Sequence, residues 1–123
     1  MGVRGIRGAI TVENNTVDEI VSATEYVLRE MVERNDVAAE DIASVLITTT
    51  EDLDAAFPAR AARNLVNWDY VPLMCAREIP VVGSLPRCIR VMMHVNTDKS
   101  QKDIQHVFLR DAVKLRPDLA MHS

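Results

Sequence analysis

The tightest constraint on this chain is the stretch Leu73–Val95, LMCAREIPVVGSLPRCIRVMMHV, which reads as strand, loop, strand. Its second strand, Cys88–Val95, holds a single arginine among apolar neighbours. Alternation puts Ile89, Val91, Met93 and Val95 on one face and Arg90, Met92 and His94 on the other. An arginine on a half-apolar strand is costly unless an anion satisfies it. Cys75, Ala76, Arg77 and Glu78 stand just before the loop. The anion is therefore either Glu78 or a ligand.

The rest of the chain supplies a sheet for this strand and a helix to cover it. Residues 3–12 read as a first strand, with Arg7 on a face with Gly5, Ala9 and Thr11, and with Ile6, Ile10 and Val12 on the other. Small residues beside an arginine leave room for something to sit against the strand. Thr16-Val17-Asp18-Glu19 is a capping box, and Ile20, Ala23, Thr24, Val27, Leu28, Met31 and Val32 keep helical spacing to about Arg34. After a turn at Ala39–Asp41, Ser44–Thr49 is short and β-branched, as a central strand should be.

Phe57–Leu65 reads as a second, short helix, with Pro58 at its first position and Ala59, Ala62, Leu65 and Val66 facing inward. Arg60 and Arg63, three apart, share a side near its start, where free N–H groups favour anions. Tyr70–Ala76 is expected as the third strand and Pro80–Arg87 as a mobile loop. One helical turn over Ser100–Gln105 and a strand over His106–Leu109 follow. Pro117 stops whatever precedes it, so a mobile C-terminal tail is expected from about residue 115.

These elements make one domain over residues 1–123, of α+β (α/β-like) class: a single mixed β-sheet with helices on one face. The other face can bury itself against a partner subunit. With only five aromatic residues, aliphatic and methionine packing must fill the core. The net charge of −4 argues against nucleic acid as a partner. No apolar run approaches the ~20 residues of a membrane span, and a signal-peptide core is lacking, so a cytoplasmic location is expected. Cys75 and Cys88 form no CxxC and are expected as free thiols.

Several chemistries lack their residues. There is no GxGxxG, no Walker A loop and no GxSxG. His94, His106 and His122 have no metal-ligand spacing, and Cys75 has no evident base beside it in sequence. What remains is arginine-rich: Arg7, Arg60, Arg63, Arg90 and Arg116, with Glu78 as the carboxylate among them. Such a set binds a small polyanion. If it is an enzyme, it acts by orienting that ligand and stabilising developing negative charge.

VRGIRGAITV, TTTEDLDAAFPARAAR, VPLMCAREIPVVGSLPRCIRV and HVFLRDAVKLRPDL, in this order, closely resemble chorismate mutase of the small trimeric α/β class. The resemblance implies the [3,3] rearrangement of chorismate to prephenate, in the route to phenylalanine and tyrosine, with no cofactor and no metal. It implies a homotrimer, a pseudo-α/β-barrel assembly with a site at each subunit interface. Carried onto this chain, Arg90 donates to the ether oxygen, Glu78 with the Cys75 segment holds the ring hydroxyl, and Arg7 binds the side-chain carboxylate. Phe57, Ala59, Arg63, Leu73 and Met74 line the wall from the neighbouring subunit, and Leu115 and Arg116 come from the tail. Three positions depart from the family pattern: Phe108 stands where tyrosine is common, Arg60 for lysine, and Met74 for threonine. They bear on the tightness of binding rather than on the reaction.

Two other readings use the same residues. A non-catalytic trimer could sense a small carboxylate on this fold, with no need for Glu78 opposite Arg90. A hydrolase of imine-like metabolites would need a positioned water, for which the sequence specifies no holder.

Overall fold

The computed structural model describes residues 2–116 and Asp118. Five strands form one mixed sheet in the order β3-β2-β4-β1-β5. They are β1 (Gly2–Thr11), β2 (Ile42–Thr49), β3 (Leu73–Arg77), β4 (Cys88–Thr97) and β5 (Val107–Leu109). β4 lies at the centre, antiparallel to both β1 and β2, while β3 and β5 are the parallel edge strands. Among the described residues the single long helix, α1 (Val17–Arg34), packs across one face.

The alternation expected of β4 is what the sheet uses. Ile89, Val91, Met93 and Val95 are buried toward α1, with Arg90 and Met92 half-buried and His94 exposed on the other face. α1 meets them with Ile20, Ala23, Thr24, Val27, Leu28 and Met31. Fully burying each of its large aliphatic side chains is worth about 1.5–3 kcal/mol as an upper bound. Gly8 passes directly beneath Met31, and a Cβ there would overlap the methionine sulfur.

Thr16 caps α1 as expected, its Oγ1 accepting the Glu19 N–H at 3.2 Å. The reciprocal half of the capping box is shifted. Glu19 Oε1 accepts from the N–H groups of Glu13 and Asn14, at 3.2 and 3.1 Å, because the Thr16 N–H already bonds Asn14 O. These bonds hold the Glu19 carboxyl below its usual range.

Two expectations are corrected. Phe57–Leu65 is not an α-helical turn but a 3₁₀-helix over Pro58–Asn64. Its threefold period buries Pro58 and Ala61, three apart, while Ala59, Ala62 and Leu65 pack partly inward. Val66, expected inside, lies past its end and is 83% exposed. The third strand begins at Leu73 rather than Tyr70, because a turn closes from Val71 N–H to Trp68 O and leaves Tyr70 outside. The turn over Gln101–Asp103 and the strand at Val107–Leu109 fall where expected. Pro117 as a stop signal, Leu119 and His122 lie outside the described residues.

Candidate active site

The face of the sheet opposite α1 carries Arg7, Arg90 and Glu78. The β1–β4 register aligns Arg7 with Met92 and Ala9 with Arg90, and β5 adds Phe108 beside Ala9. At this corner a 3₁₀ turn, Arg110–Leu115, crosses over, so that Ala112 and Leu115 pack with Ala9, Cys88 and Phe108. Toward the other edge the face is open and apolar, with Leu46 and Met74 exposed and Met92 half-buried.

Arg90 and Glu78 meet on this face. Arg90 Nη1 lies 3.3 Å from Glu78 Oε1. Thr48, directly across from Arg90 in the β2–β4 register, donates its hydroxyl to the other carboxylate oxygen, Oε2. The Glu78 N–H bonds Thr49 O at 2.9 Å, which fixes where the carboxylate begins. Glu78 therefore takes one contact from Arg90 and leaves the other guanidinium N–H groups without a partner among the described residues. Of the two anions open to Arg90, Glu78 is present but satisfies it only in part.

Arg7 extends the positive charge. Its guanidinium stacks on the Phe108 ring at 5.5 Å and has no carboxylate partner among the described residues. Burial lowers its pKa first, and the positive charges of Arg90 and Arg116 lower it further. Arg7 thus feels the charge of two further arginines, and such a cluster suits an anion bearing more than one negative group. Arg116 is meanwhile held in a two-toothed pair with Asp118, at 2.9 and 3.0 Å, which raises its pKa.

The backbone of Arg7 is fixed by a residue the sequence did not single out for the site. Its N–H donates to His106 Nδ1 at 2.9 Å. Burial, and then the charges of Arg7 and Arg116, push the His106 pKa down, so the neutral ring with an acceptor Nδ1 is favoured. Thr48 was missed as well, since a threonine in a β-branched strand reads as a strand former.

The remaining expected residues lie elsewhere. Cys75 aligns with Ile47 and packs against the core on the α1 side of the sheet, as does Leu73 beside Val45. The Cys75 side chain thus points away from Arg90, and only its backbone is open to the other face. Cys75 lines a cleft of about 520 Å³ with Phe57, Arg60, Leu53, Thr49 and Arg77. Arg63 is exposed beside Arg60, one 3₁₀ turn on, and Phe57 is 75% exposed. Both cysteines are free, and burial pushes the Cys88 thiol up to about 11, which leaves it protonated and unreactive. The site residues within one chain therefore fall into two groups. Arg7, Glu78, Arg90, Phe108, Leu115 and Arg116 gather on the open face, and Phe57, Ala59, Arg60, Arg63, Leu73 and Cys75 gather by the β3 edge, with Met74 exposed between them.

Known proteins of one family are similar to this chain over nearly its whole length. A family model described as chorismate mutase type I matches residues 3–119. Chorismate mutase AroH of Bacillus subtilis (strain 168) is 49% identical over 121 residues, covering 98% of this chain and 95% of that protein. Chorismate mutase AroH of Thermus thermophilus is 55% identical over 118 residues, covering 95% and 96%. A solved chorismate mutase from Clostridium thermocellum superposes with a TM-score of 0.86 at 59% identity, over 89% of this chain and 96% of that one.

Proposed function

The chain belongs to the chorismate mutase type I family, and from that premise we propose how its open-face arginines carry the reaction. The enzyme is a chorismate mutase, an isomerase that converts chorismate to prephenate. In this [3,3] rearrangement one C–O bond breaks as one C–C bond forms within a single molecule. No proton, electron or group is exchanged with the protein. Negative charge grows on the ether oxygen as the C–O bond stretches, so the catalytic task is to hold the substrate folded and to meet that charge.

Arg90 meets it. The observation that carries this role is that Arg90, half-buried and bonded to Glu78 through one nitrogen, keeps N–H groups free to donate. Because the oxygen is more negative in the transition state than in chorismate, this donation lowers the barrier rather than merely tightening binding. Glu78 accepts from the ring hydroxyl, helped by the backbone of the Cys75 segment. Arg7, poised over Phe108 and crowded by like charges, takes the side-chain carboxylate. Phe108 cannot supply a phenol hydrogen bond at this point and contributes its ring to Arg7 instead.

The second group of residues completes the site from a neighbouring subunit. β3 and β5 are opposite edges of one sheet; Phe57 and Arg60 lie by the β3 edge, while Arg7 and Phe108 lie toward the β5 edge. A head-to-tail ring brings the Phe57–Arg60 edge of one subunit to the Arg7–Arg90 face of the next, and a closed ring of three is a homotrimer. The exposed Leu46 and Met74 give that contact an apolar surface to bury. Phe57, Ala59, Arg60, Arg63, Leu73 and Met74 then form the wall, and Leu115 and Arg116 lie over the ligand from the C-terminal segment. We place the enzyme in the cytoplasm. Among the described residues no helix is long and apolar enough to cross a membrane.

The test is direct. Purified protein with no added cofactor should consume chorismate, followed by its ultraviolet absorbance, and yield prephenate stoichiometrically. Binding of chorismate that leaves it intact would instead support a carboxylate sensor on the same fold.

A further inference from the structure

We propose that Thr48 is a positioning residue for Glu78, setting the one rotamer in which that carboxylate can face Arg90 and a bound hydroxyl together. This rests on the role given above to Glu78. Three observations support it. Thr48 and Arg90 are cross-strand partners, so the hydroxyl and the guanidinium rise from neighbouring strands on the same face. Thr48 Oγ1 donates to Glu78 Oε2, while Arg90 Nη1 approaches Oε1 at 3.3 Å, so the two oxygens have separate donors. Glu78 sits one residue past the end of β3, at the mouth of the 79–87 loop, where its N–H is tied to Thr49 O.

A glutamate at a strand end has three side-chain torsions and can swing into solvent. Arg90 alone cannot prevent this, since one charged contact at 3.3 Å on a half-exposed pair is weak. The threonine supplies the second fixed point. With Oε2 held by Thr48, rotation about the carboxylate is stopped and Oε1 is turned toward the ligand. The hydroxyl itself does not touch the reacting atoms.

The experiment compares Thr48→Val, which keeps the shape and loses the donor, with Thr48→Ser, which keeps the donor. Valine should lower kcat/KM for chorismate by about tenfold, mostly through KM, because an ill-placed Glu78 binds the hydroxyl poorly. Serine should restore activity to within about threefold. In a Glu78→Ala background, Thr48→Val should add less than about twofold, since its effect passes through Glu78. Undiminished loss in that background would overturn the proposal, as would a Thr48→Val enzyme equal to wild type. A crystal structure of the Thr48→Val protein gives a readout independent of turnover. Glu78 should leave its position beside Arg90, and a carboxylate found unmoved would overturn the proposal whatever reaction the enzyme performs. Should wild-type protein fail to convert chorismate, the functional reading falls, while the crystal structure still decides the role of Thr48. If valine prevents folding, Thr48→Ala serves in the same comparisons.

Discussion

Arg90 Nη1 stands 3.3 Å from Glu78 Oε1 on the one face of the sheet that α1 does not cover. The two charges are neither a buried structural pair nor free surface groups. Each is partly open, and each keeps capacity for a further bond. That is the state expected of a pair whose members will grip different atoms of one ligand.

Replacing Arg90 should be the most damaging change to catalysis. Arg90→Ala removes the proposed donor to the developing oxyanion and should lower kcat/KM by about 10²–10³-fold or more. Arg90→Gln, neutral but able to donate, should also fail badly, since the charge matters most in the transition state. Chorismate absorbance measures both. An Arg90→Ala enzyme retaining most of its activity would refute the mechanism.

His106 should make stability depend on pH in a defined direction. Its folded pKa lies below the ordinary value of 6.5, because burial and the charges of Arg7 and Arg116 disfavour the imidazolium. Above pH 6.5 both folded and unfolded chains are neutral there, and this contribution is complete. As pH falls below 6.5 the unfolded chain takes up a proton the folded one refuses, so stability drops until the folded pKa is passed. His106→Asn, with an acceptor oxygen in place of Nδ1, should flatten this part of the profile. Urea unfolding of both proteins between pH 7.5 and 5 makes the comparison, and parallel curves would count against it.

Asp52 should matter for the entry to β4. Its carboxylate accepts the Arg87 N–H through both oxygens, at 2.9 and 3.1 Å, while the Cys88 N–H donates to Thr50 Oγ1 at 3.0 Å. Arg87 adopts a φ of 47°, a conformation that needs such external support. Asp52→Ala should cost about 1 kcal/mol, since the bonds are solvent-exposed. Thermal unfolding would register this as a lower Tm, and an unchanged Tm would argue that the strand entry holds itself.

Gly8 should tolerate no side chain. Gly8→Ala pushes a methyl into the buried Met31 and should destabilise by about 1–3 kcal/mol. In a Met31→Ala background, which itself costs about 2–5 kcal/mol, Gly8→Ala should cost less than it does beside Met31. Simple addition of the two losses in denaturant titration would show that the overlap is not the cause.

Leu46, on the open face beside Thr48, tests the assembly. Leu46→Glu should leave the monomer folded, because the side chain is already 39% exposed, yet should break the proposed trimer and with it the activity. Sedimentation analysis and circular dichroism separate these effects. A trimeric, active Leu46→Glu protein would move the interface elsewhere.

Local pattern was enough for the α1 stripe, the Thr16 cap, the two faces of β4 and the arginine surplus. The stripe and the two faces are written in periods of 3.6 and 2, the cap in four neighbouring residues, and the surplus in which residue types the chain carries. The same reasoning misjudged Val66, because 3.6 and 3 residues per turn diverge within a single short segment. It also could not reveal that Cys75 and Arg90 face opposite sides of the sheet, nor that Thr48 meets Glu78 or that His106 meets Arg7. Those pairs are 30 and 99 residues apart and exist only through strand register. The β2–β4 pairing includes an irregularity at Ile42/Ser44, and a slip of one residue there would turn Thr48 toward the core and away from Arg90. Sequence alone determined which residues are candidates to bind a small polyanion. Register, a property of the assembled sheet, decided which of them share a face.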